Sequence, residues 1–349
     1  MPAMKSSHLS GRPFRARGHT PAGTHVPVLP REVIAWLRPA RGEVVADCTV
    51  GYGSHAVKFL EGIGRTGRLI GFDVDGKELE RARPRLAACG VPLGLYHRNF
   101  TFLAEALKVE GLDGADIIFA DLGVSGMQVD DPSRGISYKN EGPLDMRMDD
   151  RLERTGADLL ATLSREELSA ALRELSDEPD HERIADWLVR QRAVQPITRT
   201  SQLVRLVFDA KGLSRKTWRE ETSTRHGELH PAARTFQALR ILVNNELENL
   251  KELLRIAPGC LRPGGRIGII GFHSGEDRLV KRSFREGKRA GVYRAISDSV
   301  IQPRAGEVRA NPRSASAKFR WARKEQAVAI PEVPPTRGPW DPEKRSTGP

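Results

Sequence analysis

A turn with two glycines lies between a short apolar segment and the start of a helix, and it limits the folds open to this chain. Residues 43–47 predict a buried strand, and Gly51 and Gly53 follow in the segment DCTVGYGSH. Glycines allow a backbone to approach a ligand closely, and a helix N-terminus offers N–H groups that have no partner within the helix. The segment therefore predicts the first strand, turn and helix of a nucleotide-binding sheet.

An acidic residue downstream favours a nucleoside ligand. Asp73 ends the next predicted strand, residues 68–73, and lies 22 residues after Gly51. A carboxylate at that place can accept hydrogen bonds from both ribose hydroxyls. NAD-dependent dehydrogenases share this pattern with methyltransferases, and a plain tight turn would also account for the two glycines.

Two further acids favour a methyltransferase. Asp47 directly precedes the turn, where methyltransferases use an acid near the methionine end of their cofactor. Asp121 ends a third predicted strand, residues 116–121. A dehydrogenase would need a histidine or a Tyr–Lys pair at its hydride site, and the sequence has no such local arrangement.

The order of elements predicts the fold class. Strands and helices alternate up to about residue 150, which is typical of a parallel sheet with helices on both faces. Residues 151–228 then carry helical patterns and no convincing strand. We therefore expect an α/β fold, a Rossmann-like S-adenosylmethionine methyltransferase sheet with an inserted helical domain.

The α/β pattern resumes after the insertion. A stripe of apolar residues predicts one long helix over 232–256. A Pro-Gly-Gly turn then leads to a strand at 266–272, and a last strand is expected at 318–323. The chain thus divides into a disordered basic tail (1–24), the first part of the methyltransferase domain (25–150), the helical insertion (151–228), the second part of the domain (229–324) and a disordered Pro-rich tail (325–349).

Charge and cysteine usage bear on partners and compartment. The formal net charge is +11, and residues 275–324 hold 14 Lys and Arg against 5 Asp and Glu. Such a surplus suits a polyanion such as nucleic acid, although general solubility would also explain it. The three cysteines have no disulfide or zinc spacing, and no run of apolar residues is long enough to span a membrane. We expect a cytoplasmic protein with no metal site and no membrane association. The basic tail could instead be a mitochondrial transit peptide, but it lacks the amphipathic helix expected of one.

Seven ordered motifs carry a family resemblance. The chain is similar to the bacterial methyltransferases of the MraW type, which methylate N4 of a cytidine in the decoding centre of small-subunit ribosomal RNA. The similarity runs from His25 to about residue 324. Its motifs are HVPVL (25–29), DLGVS (121–125) with Gln128 and Asp130, RGISY (134–138), GPLDMRMD (142–149), HPAARTFQALRI (230–241), GFHSGEDR (271–278) and NPRS (311–314).

The resemblance implies a cofactor, a partner and a set of site residues. The cofactor is S-adenosyl-L-methionine, and the partner is small-subunit ribosomal RNA in an assembled or assembling subunit, with a homodimer left open. Phe100 suits adenine, because an aromatic ring can stack on it, although a core role is the alternative. The implied cofactor contacts are Gly53, Ser54, His55, Asp73, Phe100, Asp121 and Gln128.

Asp121 is also the expected catalytic residue, because an acceptor aimed at a cytosine amino group makes its nitrogen more nucleophilic. A purely cofactor-binding role is the alternative. The expected substrate residues are Asp145, Arg147, His273, Ser274, Arg278 and Lys281. A purely structural role is the alternative for each. Asp145 and Arg147 would then only shape a loop, His273 and Ser274 would hold a turn, and the basic residues of the next helix would form a solvated face.

The chain departs from the family pattern near the glycine turn. Ser54 stands where the family has glycine, and Gly126 and Gly275 replace a serine and a leucine. A strained Ser54 would weaken cofactor binding, whereas a Ser54 at an ordinary helix start would not; the sequence favours the second. The alternatives to the main function are methylation of another RNA site or of a protein, and a catalytically weakened RNA-binding or ribosome assembly protein of the same fold.

Overall fold

The computed structural model describes residues 26–214 and 229–326. The predicted basic tail, His25 of the first motif and all but two residues of the predicted Pro-rich tail lie outside these ranges. Part of the predicted insertion, residues 215–228, also lies outside them.

Seven strands form a single sheet in the order β3-β2-β1-β4-β5-β7-β6. β1 to β5 are parallel neighbours, and β7 runs antiparallel to both β5 and β6. The predicted α/β fold class is confirmed. The strands are β1 Val44–Asp47, β2 Arg68–Asp73, β3 Leu93–His97, β4 Ala115–Asp121, β5 Leu261–Gly271, β6 Tyr293–Ile296 and β7 Lys318–Lys324.

Helices cover both faces of the sheet, as parallel strands require. One apolar cluster joins the sheet to α1, α2 and α3, and a second joins it to α4, α11 and α12. The helices of the described residues are α1 Pro30–Leu37, α2 Ser54–Ile63, α3 Gly76–Ala87, α4 Leu103–Val109, α5 Gly126–Asp130, α6 Gly156–Thr162, α7 Arg165–Ser176, α8 His181–Val194, α9 Thr200–Lys211, α10 Ala233–Asn244, α11 Glu246–Cys260, α12 Ser274–Arg289 and α13 Ala305–Ala310.

A third apolar cluster lies apart from the sheet. It is built from α6 to α9, and it includes Phe236 and Leu239 of α10 and Met146 of the loop after α5. Residues 151–214 contain four helices and no strand, and the helical patterns at 166–175 and 182–192 lie within α7 and α8. The helical unit therefore draws one of its helices from the chain that follows residue 228.

The prediction of a single long helix over 232–256 was wrong. The chain forms α10 and α11, which are separated at Asn245, a residue with a left-handed φ of 52°. The two halves bury their apolar stripes in different places, because α10 packs into the helical unit while Leu250 and Leu254 of α11 pack on the sheet. A straight helix could not reach both clusters.

The sequence also missed two strands and the start of a third. β3 and β6 had no predicted counterpart. β5 begins at Leu261 and includes the expected Pro-Gly-Gly turn, with an irregular register beside β4. Within the described part of the chain, no helix is long and apolar enough to cross a membrane.

Candidate active site

Acidic residues converge at the carboxyl edge of the sheet. Asp47, Asp73 and Asp121 are the last residues of β1, β2 and β4, which are adjacent in the sheet. The backbone N–H of Asp121 donates to Thr49 Oγ1 over 2.7 Å, which joins the end of β4 to the turn after β1. This edge, where ligands bind in open α/β sheets, is the candidate active site.

The glycine turn connects β1 to α2 with two left-handed residues. Gly51 has φ 50° and Gly53 has φ 82°. The N–H of Gly51 donates to Asp73 Oδ2 over 2.6 Å, so the turn is fastened to the end of the next strand. A Cβ on Gly53 would lie 3.2 Å from Leu86 Cδ2, so this position needs glycine for space as well as for conformation.

Ser54 does not share that strain. It is the first residue of α2 and is buried, and it is not among the described residues that have a positive φ. The serine that replaces the family's glycine therefore occupies an ordinary helical position, which is the second of the two alternatives drawn from the sequence.

Asp73 is held by backbone donors on both oxygens. Besides Gly51, the N–H of Asp75 donates to Asp73 Oδ1 over 2.8 Å. Burial raises the pKa of Asp73 to about 6, although these two amides act to lower it. The two amides thus fix the orientation of this carboxylate at the end of β2.

Asp47 and Asp121 form the most strongly perturbed pair. Burial raises the pKa of Asp47 to about 7 and that of Asp121 to about 8, and the negative charge of Asp47 contributes to the shift of Asp121. Asp47 Oδ2 and Asp121 Oδ1 are buried and accept no hydrogen bond from the described residues. Carboxylates in this state favour a cationic or N–H-bearing ligand.

His55 lies against Asp121. Its Nε2 is 3.6 Å from Asp121 Oδ2, which is too long for a hydrogen bond, and its ring packs on Phe119 with centroids 4.8 Å apart. The first turn of α2 thus brings Ser54 and His55 to the same edge as the acids; their contact with a cofactor stays a prediction.

Glu276 is a further acid at this edge, with no role predicted from the sequence. This residue is buried in the first turn of α12, and its Oε2 accepts the N–H of Phe272 over 2.7 Å. Burial acts to raise its pKa, but His273, the Phe272 N–H and Arg240 outweigh burial and leave the pKa lowered. The charge of Glu276 adds to the raised pKa of Asp121. Its signal in the sequence was the capping box, with His273 as N-cap and Glu276 three residues later.

Gln128 is engaged in a buried network rather than facing open space. Its Nε2 donates to Asp75 Oδ2 over 3.0 Å, and its Oε1 accepts the N–H of Ser125. Arg134 Nη2 donates to the same Asp75 oxygen and Arg134 Nη1 donates to two backbone carbonyls of the loop at 147–148. Asp75 and Arg134, which sequence reasoning missed, therefore join the cofactor edge to the loop that carries Asp145.

Phe100 begins a one-turn helix, Phe100–Phe102, just after β3. It is partly buried and packs beside the apolar cluster between the sheet and α11. Phe100 therefore has a packing role in the fold. Its stacking on adenine stays a prediction.

The expected substrate residues lie in two places, and most have partners. Asp145 and Arg147 form a bidentate pair at 2.8 and 2.9 Å within one loop, and Arg147 Nη1 donates to the Leu152 carbonyl. Burial acts to raise the pKa of Asp145, but Arg147 outweighs it and leaves the pKa lowered. Met146 and Met148 of the same loop are buried.

Ser274 and Arg278 face the helical unit. Both bind Asp177, the left-handed residue that ends α7, at 2.6 Å from Ser274 Oγ and 3.2 Å from Arg278 Nη2. Lys281, one turn further along α12, makes no ion pair with any acid of the described chain. The basic face of α12 thus begins with a contact to the helical unit and becomes free of partners only at Lys281.

One group of candidate metal ligands occurs in the described ranges. Ligand atoms of His97, Asp149 and Asp150 lie within 4.8 Å of one another. Both oxygens of Asp149 accept hydrogen bonds from Arg151, at 2.8 and 2.7 Å, and His97 Nε2 is 3.0 Å from the Val74 carbonyl. These contacts account for the group as loop structure, and it enters no step below.

Comparison with known proteins identifies close relatives. The MraW methylase family model matches residues 22–325. The protein named ribosomal RNA small subunit methyltransferase H from Geobacter sulfurreducens is 42% identical over 86% of this chain and 99% of its own. A protein of the same name from Sorangium cellulosum is 40% identical over 91% and 95% of the two chains. Among solved structures, an rRNA methylase from Streptococcus thermophilus overlaps 87% of this chain and 100% of its own at 13% identity, with a TM-score of 0.36.

Proposed function

Because this chain belongs to the MraW methylase family, we propose that it transfers a methyl group from S-adenosylmethionine to N4 of a cytidine in small-subunit ribosomal RNA. The observation that carries the proposal is the pair of buried carboxylate oxygens on Asp47 and Asp121, which have no donor among the described residues. Relatives about 40% identical are named for methylation of the small-subunit RNA.

The site fits this cofactor. Asp73 lies where a carboxylate can accept the ribose hydroxyls, and Phe100 is the candidate partner for adenine. Gly53, with its left-handed φ, shapes the turn that would face the cofactor, and Asp47 lies at the end where the positive methionine part would be held. When bound, S-adenosylmethionine supplies an electrophilic methyl group on a positively charged sulfur. Ser54, His55 and Gln128 complete the proposed contacts.

Asp121 is the proposed acceptor for the cytosine amino group. That nitrogen is a poor nucleophile because its lone pair is conjugated with the ring. A carboxylate that accepts an N–H bond raises its electron density and stabilises the positive charge that develops on it. Burial raises the pKa of Asp121 to about 8 in the ligand-free protein, so this carboxyl is more basic than an exposed one. The positive charge of bound S-adenosylmethionine would favour its ionised form, which can accept the proton.

Orientation supplies the rest of the rate increase. A displacement at a methyl group needs the attacking nitrogen in line with the leaving sulfur, and positioning alone can contribute about 7–11 kcal/mol. The pair formed by Asp145 and Arg147 shapes the loop beside the site. His273, the N-cap of α12, is proposed to border the site on another side. Arg278 and Lys281 are proposed to face the RNA backbone, Arg278 after exchange of its contact with Asp177.

The target base must leave its stack or come from a single strand, because N4 is buried in a base pair. We propose an assembled or assembling small subunit as the substrate. A catalytically weakened assembly protein is disfavoured, because Ser54 is helical and the acids of the site are all in place.

The proposal is tested by methylating small subunits from a strain that lacks this gene. We expect the purified protein and S-adenosylmethionine to add one N4-methylcytidine to the small-subunit RNA, located by nucleoside mass spectrometry. A methyl group found only on C5, on a ribose or on protein would overturn the assignment.

The role of Asp121 is tested by Asp121→Asn, which keeps the shape and removes the charge. Turnover should fall by roughly a hundredfold, the range for a single electrostatic group, while the Kd for the cofactor changes much less. Asp186→Asn on α8, an acid of the helical unit that pairs with Arg190, is the matched control and should keep full activity. Near-normal turnover of Asp121→Asn would remove Asp121 from the mechanism.

A further inference from the structure

A second basic surface lies at the opposite edge of the sheet from the active site. It consists of Trp36 and Arg38 at the end of α1, Arg294 on β6, and Trp321 and Arg323 on β7. We call these five residues the Arg–Trp surface. Arg323 is the strand partner of Arg266 on β5. Gly271, at the end of β5 beside the active site, lies five residues further along, so about 17 Å separate the two places.

The sheet register places Arg323 beside Arg266, and the charge of Arg294 also acts on Arg323. Arg323 pairs directly with Arg266 on one side and with Ala295, the neighbour of Arg294, on the other. Arg266 Nη2 in turn donates to the Arg38 carbonyl over 2.7 Å. Trp321 precedes Arg323 by two residues on the same strand, so both side chains leave the same face of β7.

Positive charge at this surface exceeds negative charge. Glu43 neutralises Arg266 in a bidentate pair at 2.7 and 2.9 Å. No acid in residues 26–214 or 229–326 forms an ion pair with Arg38, Arg294 or Arg323. Burial, together with the charges of Arg294, Arg266 and Arg38, lowers the pKa of the Arg323 guanidinium and outweighs the opposing charge of Glu43.

An aromatic pair adjoins the charges. Trp36 stacks on Trp321 with ring centroids 4.8 Å apart and planes at 22°, yet 47% of Trp36 remains exposed. An indole face that stays accessible beside unpaired guanidinium groups is typical of nucleic-acid binding surfaces, because the indole stacks on a base and the guanidiniums bind phosphates.

We propose that the Arg–Trp surface binds the phosphate backbone of ribosomal RNA outside the target nucleotide, as a second contact remote from the methyl transfer site. The inference rests on the proposed function for its RNA substrate. The excess of arginines over the single paired acid Glu43, combined with an exposed aromatic ring, favours RNA over an acidic protein. The active site supplies the chemistry, and this surface would orient a folded substrate by holding a neighbouring segment.

The test compares two double variants that remove the same charge. Arg38→Ala with Arg294→Ala removes two exposed members of the surface. Arg83→Ala with Arg255→Ala, on α3 and α11, removes two arginines that each pair with a glutamate three residues earlier. Binding of deproteinised small-subunit RNA is measured over a series of KCl concentrations. The first variant should lower the log–log salt slope by about one unit for each lost phosphate contact, and the control should leave it unchanged.

Two further measurements separate base stacking from phosphate binding, and RNA binding from methyl transfer. Trp36→Ala should weaken RNA binding about tenfold with little change in the salt slope, because stacking is largely independent of salt. Methylation of small subunits at saturating substrate concentration should reach the wild-type rate in all these variants, because the surface contributes to binding and not to methyl transfer. Absence of methylation by the wild-type protein would instead count against the proposed function.

Three results would overturn the Arg–Trp surface as an RNA site. One is an unchanged salt slope in the Arg38→Ala and Arg294→Ala variant with wild-type thermal stability. The second is a shift of the monomer–dimer equilibrium in sedimentation with RNA binding intact, which would identify an interface between copies. The third is loss of binding to a small-subunit protein with RNA binding intact.

Discussion

At position 54 a serine stands where the family has glycine, and the backbone decides what that difference does. The left-handed conformation that demands glycine belongs to Gly53, at φ 82°, while Ser54 begins α2 with a helical backbone. The substitution therefore falls one residue after the strained position, and the turn keeps its shape.

Substitutions at these two positions should differ in severity. Gly53→Ala forces a Cβ to within 3.2 Å of Leu86 Cδ2 at a left-handed φ, and we expect it to lower the free energy of unfolding by about 1–2 kcal/mol and to weaken cofactor binding. Ser54→Gly should leave the Kd for S-adenosylmethionine unchanged or slightly raised. Calorimetric titration of both proteins checks this; tighter binding by Ser54→Gly would show that the serine does hinder the cofactor.

At the scale of elements, the break between α10 and α11 separates two packing tasks. Asn245 is exposed and left-handed, and its N–H donates to the Leu242 carbonyl to close α10. Asparagine tolerates this conformation better than other residues that carry a Cβ, and glycine tolerates it best. The break can therefore sit at an asparagine inside an otherwise continuous amphipathic pattern.

Substitutions at Asn245 should follow left-handed preference rather than helix propensity. Asn245→Ala should lower the free energy of unfolding by about 1 kcal/mol, although alanine is the better helix former, and Asn245→Gly should match or exceed the wild type. Urea denaturation of the three proteins measures the order. If alanine proved the most stabilising, the two helices would be held apart by their packing alone.

At the scale of the whole molecule, the cluster of acids links stability to pH. The pKa values of Asp73, Asp47 and Asp121 are raised to about 6, 7 and 8. Between about pH 4 and pH 8 these three aspartates therefore bind more protons in the folded, ligand-free protein than in the unfolded chain, where aspartates titrate near 3.9. Their contribution to stability is present at the acidic end of this window and is lost as pH rises through the folded pKa values.

We accordingly expect the thermal midpoint of the ligand-free protein to decrease from pH 5.5 to pH 8.5, at up to about 1.4 kcal/mol per pH unit for each excess proton bound. S-adenosylmethionine, which carries positive charge to the acids, should raise the midpoint more at pH 8.5 than at pH 6. Asp121→Asn removes one of the titrating groups and should show a shallower slope in the same scans. A midpoint that rises across this range would mean that the acids are ionised and satisfied without a ligand.

Much of the site could be predicted from the sequence, because its signals are local. An apolar strand that ends in an acid, a pair of glycines before a helix and a capping serine or histidine are each decided within a few residues by backbone sterics and hydrogen bonding. Since parallel strands place their carboxyl ends at one edge, the order of elements already implied that Asp47, Asp73 and Asp121 would lie together.

Tertiary structure decided what depends on partners distant in the chain. Arg134 meets Asp75 across 59 residues, and Asp177 meets Arg278 across 101. The break at Asn245 follows from two separate apolar clusters, and the charge of Glu276 reaches Asp121 only once α12 returns to the sheet edge. A residue pattern records which side chains are apolar or charged, but burial and the neighbouring charges set their pKa values and partners, and both exist only after the chain has packed.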